Sequence, residues 1–231
     1  MKFMGSKRRL ARYILPLILT ERKTDQWWVE PFVGGGNIID RFVGNRIGAD
    51  QDMYVINALI AIRDHVSDLP KNKEEFSENE YKKLRENDTY IYKGYAGFAF
   101  SYGGKRLGGW RRDREERRDY VGEAYRNAVK QSLGLQGVML INSDYQDLYI
   151  PPNSLIYCDP PYKDSTMYKN TFNHIKFWQW CRDKHSEGHT VFISEYKAPE
   201  DFKCIWEKKI VCSLTQDTGS KVALERLWRL K

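Results

Sequence analysis

The sequence predicts one α/β domain built around a mostly parallel, doubly wound sheet, with a small insert. With 231 residues, the chain is long enough for one substantial domain and too short for two full ones. Near the N-terminus, a strand pattern runs into a glycine-rich turn and then an apolar stretch, which is the usual opening of such a sheet. Later short apolar runs end in acidic residues, as expected where the carboxyl ends of parallel strands line a ligand site.

Composition narrows the class of protein. Hydrophobic residues make up 41% of the chain and aromatic residues 14%, which is typical of a globular protein and excludes a disordered one. A formal net charge of +7 and a pI near 9.1 suit a polyanionic partner. The four cysteines show neither a CxxC pair nor metal-ligand spacing with the four histidines, so we expect reduced thiols and no metal site. The apolar run at 13–19 is too short to span a membrane, and we expect a cytoplasmic protein.

The first half of the chain predicts the opening of the sheet. Apolar residues at helical spacing indicate a helix over 10–18. Residues 27–33 form a strand that Pro31 and the following glycines end, and an apolar helix is expected over 38–43. A second strand at 46–49 ends at Asp50 and is followed by a helix over 54–63, for which Asp52 is the expected N-cap. Residues 71–87 are charged and indicate an exposed helix or a pair of turns.

The second half predicts the rest of the sheet. Strands are expected at 138–141, 155–158 and 190–194, with an amphipathic helix over 177–185. Residues 205–214 and 223–230 have the pattern of a closing antiparallel hairpin. The polar segment 163–171, between the strand at 155–158 and the helix over 177–185, indicates a loop.

The stretch at 155–162 holds the strongest chemical signal. A short buried strand ends abruptly in Asp159, Pro160, Pro161 and Tyr162. Two prolines stop the strand at a stiff turn, where an Asp carboxylate and the Pro160 carbonyl can act as paired acceptors beside an aromatic ring. Such a set suits a planar amino group, because each N–H finds an acceptor and the ring covers the π-face.

This motif resembles the catalytic DPPY motif of amino-methyltransferases. Together with the order of the other motifs, it makes the chain similar to the Dam-like DNA adenine-N6 methyltransferases, the D12 class or alpha group of bacteria and phages. The resemblance implies a Rossmann-like S-adenosylmethionine-dependent methyltransferase sheet, formed by residues 1–70 and 137–231, with a target-recognition region inserted at 71–136. It also implies methyl transfer from S-adenosylmethionine to N6 of an adenine flipped out of double-stranded DNA, with Asp159, Pro160, Pro161 and Tyr162 as the catalytic residues.

The glycine turn fails the GxGxxG pattern, because Ile39 stands where the last glycine belongs, so a dinucleotide site is disfavoured. An acid such as Asp50 at the tip of the second strand is suited to two ribose hydroxyls, with Asp52 as a second candidate. The resemblance implies a cofactor site, from which Ser6 departs slightly because a second glycine is common there. Its residues are Phe3, Met4, Gly5, Lys7, Glu30, Phe32, Gly34, Gly36, Asp50, Asp144 and Tyr145.

Residues 90–118 interleave aromatic rings, glycines and cations, which favours contact with nucleic acid. The alternative is a loop packed by its own aromatics, followed by an ion-paired surface helix. The predicted DNA contacts are Lys93, Tyr95, Phe98, Tyr102, Lys105, Arg106, Arg111, Arg112 and Arg114.

Other functions stay open at this stage. A cytosine-N4 methyltransferase would act on a similar amine, although such enzymes more often carry Ser in place of Asp159. Protein-glutamine methyltransferases usually carry Asn there, and RNA methylation is a further alternative. The chain could also be a catalytically idle DNA-binding module of the same fold. The sequence leaves open whether a restriction endonuclease partner exists or the protein acts without one.

Overall fold

A computed structural model describes residues 1–86, 92–113, 115, 117–162, 172–212 and 221–231. Within these ranges, the α-helices are α1 Ala11–Leu19, α2 Met53–Asp64, α3 Glu78–Lys83, α4 Lys93–Ala99, α5 Tyr120–Leu135 and α6 His174–Ser186. The strands are β1 Trp28–Glu30, β2 Arg46–Asp50, β3 Val138–Asn142, β4 Leu155–Cys158, β5 Thr190–Ser194, β6 Phe202–Cys212 and β7 Lys221–Leu230. The loop predicted at 163–171 and the side chain of Arg114 lie outside the described residues.

The strands form one seven-stranded sheet in the order β3-β2-β1-β4-β5-β7-β6. The first five strands in this order are parallel to one another, whereas β7 runs antiparallel to both β5 and β6. This confirms the predicted α/β sheet and its closing hairpin. Because β1 lies at the centre of the parallel part, the chain reverses its winding direction there, and ligands bind at such a switch point.

Alternate residues of the strands bury opposite faces of the sheet. In β1, Trp28 packs into a cluster that includes α1, α2, α4 and α5, whereas Val29 packs into a second cluster that includes α6. Both side chains have no exposed surface. Helices therefore cover both faces, which explains why β1 and β4 consist of buried residues throughout.

The helix predicted over 38–43 is wrong. Only a single 3-10 turn forms there, Ile39–Arg41. The guanidinium of Arg46 donates to the carbonyls of Ile39 and Phe42, and also to those of Gly134 and Gln136 at the end of α5. These bonds satisfy carbonyls that a continuing helix would have used, and they tie α5 to the start of β2.

The segment predicted to be an insert packs closely onto the helices of the sheet. A Cβ added to Gly94 in α4 would lie 2.3 Å from the Tyr54 carbonyl oxygen at the start of α2, so only glycine allows this approach. The stretch predicted to be exposed at 71–87 has a buried side as well, because Phe76, Tyr81 and Leu84 are core residues. In the part of the chain that the structure describes, no helix is long and apolar enough to cross a bilayer.

Candidate active site

Three predicted motifs meet at the carboxyl edge of the parallel strands. Strand β1 pairs with β2 on one side and with β4 on the other. The glycine turn follows β1, Asp50 ends β2, and Asp159 follows β4 directly. The sheet order therefore places the predicted cofactor residues beside the predicted catalytic acid.

Asp50 is bonded to the glycine turn. Gly34 adopts a left-handed conformation with φ of 47°, and its backbone N–H donates to Oδ2 of Asp50 at 3.1 Å. The N–H of Asp52 donates to the other carboxylate oxygen at 3.0 Å. Burial raises the pKa of Asp50 to about 6, although these two hydrogen bonds favour the ionised form. Asp52 itself caps α2 by accepting from the Tyr54 N–H at 2.9 Å, as predicted.

The N-terminal segment covers the glycine turn. The Phe3 ring lies so close to Gly34 that an added Cβ there would come within 2.9 Å of it. The same ring packs against Phe98 of α4 with 5.3 Å between centroids, and the N–H of Met4 donates to the Gly104 carbonyl at 3.1 Å. Residues 3 and 4 thus join the glycine turn to the insert.

Lys7 contacts the predicted catalytic acid. Its ammonium lies 2.9 Å from Oδ1 of Asp159 and also donates to the Gly5 carbonyl at 3.3 Å. The lysine is 6% exposed and the aspartate 21%. Burial disfavours the Lys7 cation, but the charges of Asp159 and Glu225 outweigh burial and raise the pKa of Lys7. Burial also raises the pKa of Asp159, and Lys7 opposes this only in part.

Glu225 is a buried site residue that the sequence analysis missed. The Tyr162 hydroxyl donates to its Oε2 at 2.9 Å, and Lys7 lies 3.8 Å from the same oxygen. Glu225 is 6% exposed and stands two residues before the fully buried Leu227 on the same face of β7. A carboxylate at a core-facing position of an alternating strand was the signal that could have revealed it.

Two other predicted cofactor residues differ in burial, since Glu30 is buried and Phe32 is partly buried. Glu30 is 2% exposed and accepts from the Trp28 indole N–H at 2.9 Å, and burial raises its pKa well above the usual value. Phe32 packs against Tyr145 with 5.2 Å between ring centroids.

Gly36 also adopts a left-handed conformation with φ of 65°, and its carbonyl accepts from the Gln131 amide in α5 at 3.2 Å. Gln131, which also donates to the Gly35 carbonyl, is a second buried residue that the sequence analysis did not single out.

Asp144 and Tyr145, which follow β3, differ in their exposure to solvent. Asp144 is partly exposed and accepts from the backbone N–H of Gln146 at 2.9 Å, so it forms an Asx turn. Tyr145 is 5% exposed and packs against Phe177 and Trp180. Its ring therefore belongs to the core beneath the site.

The predicted DNA contacts also separate into two groups. Tyr95 and Phe98 are 1% and 4% exposed, and Lys93 is 9% exposed, so their side chains serve the packing of α4 instead of a nucleic-acid surface. The alternative of a segment packed by its own aromatics describes these residues. The remaining described residues are partly or fully exposed: Tyr102, Lys105, Arg106, Arg111 and Arg112.

Several of the exposed cations have acidic neighbours. Arg112 forms a two-point ion pair with Glu78, and Arg111 pairs with Glu123 at 3.0 Å. Arg106 lies 3.7 Å from Asp52 and stacks over the Tyr54 ring. A phosphate would therefore compete with carboxylates for these cations.

The sheet order, the glycine turn after β1 and the acid at the end of β2 define a Rossmann-like methyltransferase fold. The sequence identifies the group within that class. Residues 3–127, more than half of the chain, match the family of D12 class N6 adenine-specific DNA methyltransferases. The protein belongs to this family and is an S-adenosylmethionine-dependent enzyme that methylates N6 of adenine in DNA. The match includes Lys7, Gly34 and Asp50 and ends before Asp159.

The chain also shows weak similarity to solved structures. A putative methyltransferase from Escherichia coli, yhhF, is 12% identical with a TM-score of 0.41, covering 97% of this chain and 84% of that one. The tRNA (m1A58) methyltransferase TrmI from Aquifex aeolicus is 8% identical with a TM-score of 0.42, covering 100% and 71%. The putative methyltransferase SMU.472, solved with S-adenosylhomocysteine, is 11% identical with a TM-score of 0.37, covering 98% and 52%. None of the curated protein sequences matches this chain significantly.

Proposed function

We propose that Asp159 and the Pro160 carbonyl hold the N6 amino group of an adenine that has left the stack of double-stranded DNA. The observation that carries this proposal is the ion pair between Lys7 and Asp159 at 2.9 Å. Lys7 lies within residues 3–127, which match the family, whereas Asp159 lies outside them. The ion pair connects Asp159 to the matched part of the chain. The motif at 159–162 thereby belongs to the same site as the glycine turn.

The chemistry follows from the donors of the target. S-adenosylmethionine supplies a methyl group on a sulfonium. The N6 lone pair is delocalised into the adenine ring, and two hydrogen bonds, to the Asp159 carboxylate and the Pro160 carbonyl, favour a pyramidal nitrogen that points at this methyl group. A bond from N6 to carbon forms as the bond from sulfur to carbon breaks, which leaves S-adenosylhomocysteine. The methylated nitrogen then releases one proton, which Asp159 would accept.

The residues around the glycine turn fit the cofactor. Asp50 presents a carboxylate that already accepts backbone N–H groups and can accept from ribose hydroxyls. The methionine end of S-adenosylmethionine would lie near Gly34 and the segment from Phe3 to Lys7. Asp144 would face the amino group of the cofactor's own adenine. Glu30, Phe32 and Tyr145 support this site from below, since they are held in the core or against it.

Tyr162 would stack on the extruded base. Taking a base out of a duplex costs a few kcal/mol, and stacking on an aromatic ring offsets part of this cost. The ring is partly exposed, and its hydroxyl is anchored to Glu225.

We place the DNA on the exposed part of the insert, at Tyr102, Lys105, Arg106 and Arg112. Tyr102 is 71% exposed and Arg112 is 68% exposed. Exposed cations beside an exposed ring suit phosphates and bases. The proposed substrate places the enzyme in the compartment that holds DNA, which in a bacterium is the cytoplasm.

The test is a methyl transfer assay with labelled S-adenosylmethionine and unmethylated duplex DNA. Asp159→Ala should abolish transfer while cofactor affinity, measured by calorimetry, stays within about threefold of the wild type. Retained turnover by this variant would refute the role of Asp159. Mapping methylated adenines in the DNA product identifies the recognition sequence, and with it any restriction endonuclease that cuts the same site.

The DNA surface has a separate test. DNA affinity should fall steeply with salt, because phosphate contacts release counterions. A charge-reversed Arg112→Glu and Arg114→Glu variant should bind DNA more weakly and with a shallower salt dependence. Normal binding and methylation by this variant would remove that part of the insert from the interface.

A further inference from the structure

Glu225 connects two groups of the proposed active site. It is a buried residue of β7, far in sequence from the family match at residues 3–127 and from the motif at 159–162. One of its oxygens, Oε2, accepts from the Tyr162 hydroxyl at 2.9 Å and lies 3.8 Å from the Lys7 ammonium. It therefore touches the stacking ring and the partner of the catalytic acid at once.

The contacts of Tyr162 fix its ring on three sides. Glu225 holds the hydroxyl, the Lys7 ammonium lies 4.4 Å from the ring centroid, and Tyr196 meets the ring edge to face with 4.5 Å between centroids. A ring held at its hydroxyl and beside its face cannot swing freely. Without the carboxylate, the ring loses the anchor that sets its orientation.

Lys7 is shared between two carboxylates. Asp159 lies 2.9 Å from the ammonium and Glu225 lies 3.8 Å from it, both in a largely buried setting. An ammonium committed to Asp159 alone would compete more strongly with an incoming amino group for the same carboxylate oxygens. The second carboxylate draws part of the cation's attraction away from Asp159.

We propose that Glu225 is a positioning residue for methyl transfer, which orients Tyr162 through its hydroxyl and shares Lys7 so that Asp159 can accept the N6 amino group. The inference rests on the proposed roles of Asp159 and Tyr162. It adds a residue of the antiparallel hairpin to a site otherwise built at the edge of the parallel strands.

The pH profile separates this role from a purely structural one. The charged and titratable groups that face Asp159 are Lys7, Glu225, Tyr162, Tyr157 and Glu30. The negative charge of Glu225 raises the pKa of Asp159. Transfer requires ionised Asp159, so the rate falls on the acid side as this group takes up a proton.

Two variants therefore separate the charge of Glu225 from its role as an anchor for Tyr162. Glu225→Gln keeps an acceptor for the Tyr162 hydroxyl and removes only the charge, so the limb should move to lower pH. Tyr162→Phe keeps the ring and removes the hydroxyl that Glu225 anchors, so transfer should slow while the limb stays in place. Glu207→Gln, on the exposed side of the neighbouring strand β6, is the matched control and should leave the limb in place.

The experiment measures single-turnover methyl transfer to duplex DNA between pH 5 and pH 9 with the full chain. Glu225→Ala, which removes both the anchor and the charge, should slow transfer about 10- to 100-fold, as a small misplacement of a reacting group does. Its affinity for S-adenosylmethionine should match that of the wild type. The effects of Glu225→Ala and Tyr162→Phe should combine less than additively, since both break the same hydrogen bond.

The outcomes also distinguish this inference from the proposed function. Turnover by Asp159→Ala would end the proposed function, whatever the Glu225 variants do. An inactive Asp159→Ala, together with a Glu225→Gln variant whose rate and acid limb match the wild type, would overturn the positioning role alone. If the Glu225 variants fail to fold, the rate of Tyr162→Phe decides, because this variant breaks the same hydrogen bond. Slower transfer at unchanged affinity for S-adenosylmethionine supports the inference, and a wild-type rate overturns it.

Discussion

Replacing Lys7 with Met tests whether the buried charges of the site are balanced by this one cation. Methionine keeps the length of the side chain and removes its charge. The change leaves Asp159 and Glu225 facing each other without the ammonium that lies 2.9 and 3.8 Å from them. Breaking one side of a buried ion pair costs about 3–5 kcal/mol. Because Asp159 is 21% exposed, we expect a loss of unfolding free energy near the lower end of this range, about 3 kcal/mol.

The loss should depend on pH in a defined direction. Without Lys7, the pKa of Asp159 in the folded protein rises further, because its largest favourable neighbour is gone. The cost is present where Asp159 is ionised and disappears as the pH falls through that raised pKa. The wild type also loses the benefit of the pair at low pH, so the two proteins should converge in stability there.

Urea unfolding at pH 8 and pH 5 measures both effects. Lys7→Met combined with Asp159→Asn should recover most of the stability at pH 8, because the second change removes the unpaired carboxylate. Lys203→Met on the exposed side of β6 is the control and should change the unfolding free energy by less than about 0.5 kcal/mol. A loss equal at both pH values, or one that Asp159→Asn does not reverse, would show that Lys7 acts through packing and not through charge.

Three further predictions concern the glycine turn and the insert. Since burial raises the pKa of Asp50 to about 6, cofactor affinity measured by calorimetry should weaken about tenfold for each pH unit below 6, whereas Asp50→Asn should bind weakly at every pH. Gly94→Ala should lower the midpoint of thermal unfolding, because its Cβ would meet the Tyr54 carbonyl; Gly109→Ala, which has open space, should not, and equal midpoints would contradict this packing. Gln131→Ala should cost about 1–3 kcal/mol in urea unfolding, because two buried carbonyls lose their donor; a loss below 0.5 kcal/mol would mean that water replaces it.

The sheet was predictable because its signals are local. Each parallel strand is a short apolar run that ends in a turn residue or an acid, and the strand order follows from the usual connections of such units. The position of Asp50 and Asp159 at one edge of the sheet was predictable for the same reason, since carboxyl ends of neighbouring parallel strands share one edge. The contact between Lys7 and Asp159 joins residues far apart in the sequence, so no local pattern predicts it. Only the resemblance to a family indicated that Lys7 lies near the site.

The errors have a common physical cause in long-range contacts. The apolar stretch at 38–43 has helical composition, but only one 3-10 turn forms there. The Arg46 guanidinium, which binds the distant carbonyls of Gly134 and Gln136, also binds those of Ile39 and Phe42. Tyr95 and Phe98 are aromatic residues of the kind that stack on bases. Because Gly94 lets α4 pack closely against α2, both side chains are buried instead. Neither effect can be derived from a window of sequence, because the partner lies outside the window or in another element.

The N-terminal segment explains how separate parts of the chain act as one site. Phe3 packs on the glycine turn, Met4 is bonded to the insert at Gly104, and Lys7 is bonded to Asp159. The segment of residues 3–7 thus touches the glycine turn, the proposed DNA-binding region and the proposed catalytic acid. A short segment of this kind fixes the distances among the three parts, and transfer from a sulfonium to an extruded base depends on such distances. These contacts explain why the segment combines an aromatic ring at Phe3, a glycine at Gly5 and a cation at Lys7. Gly5, with φ of 77°, allows the turn between Met4 and Lys7.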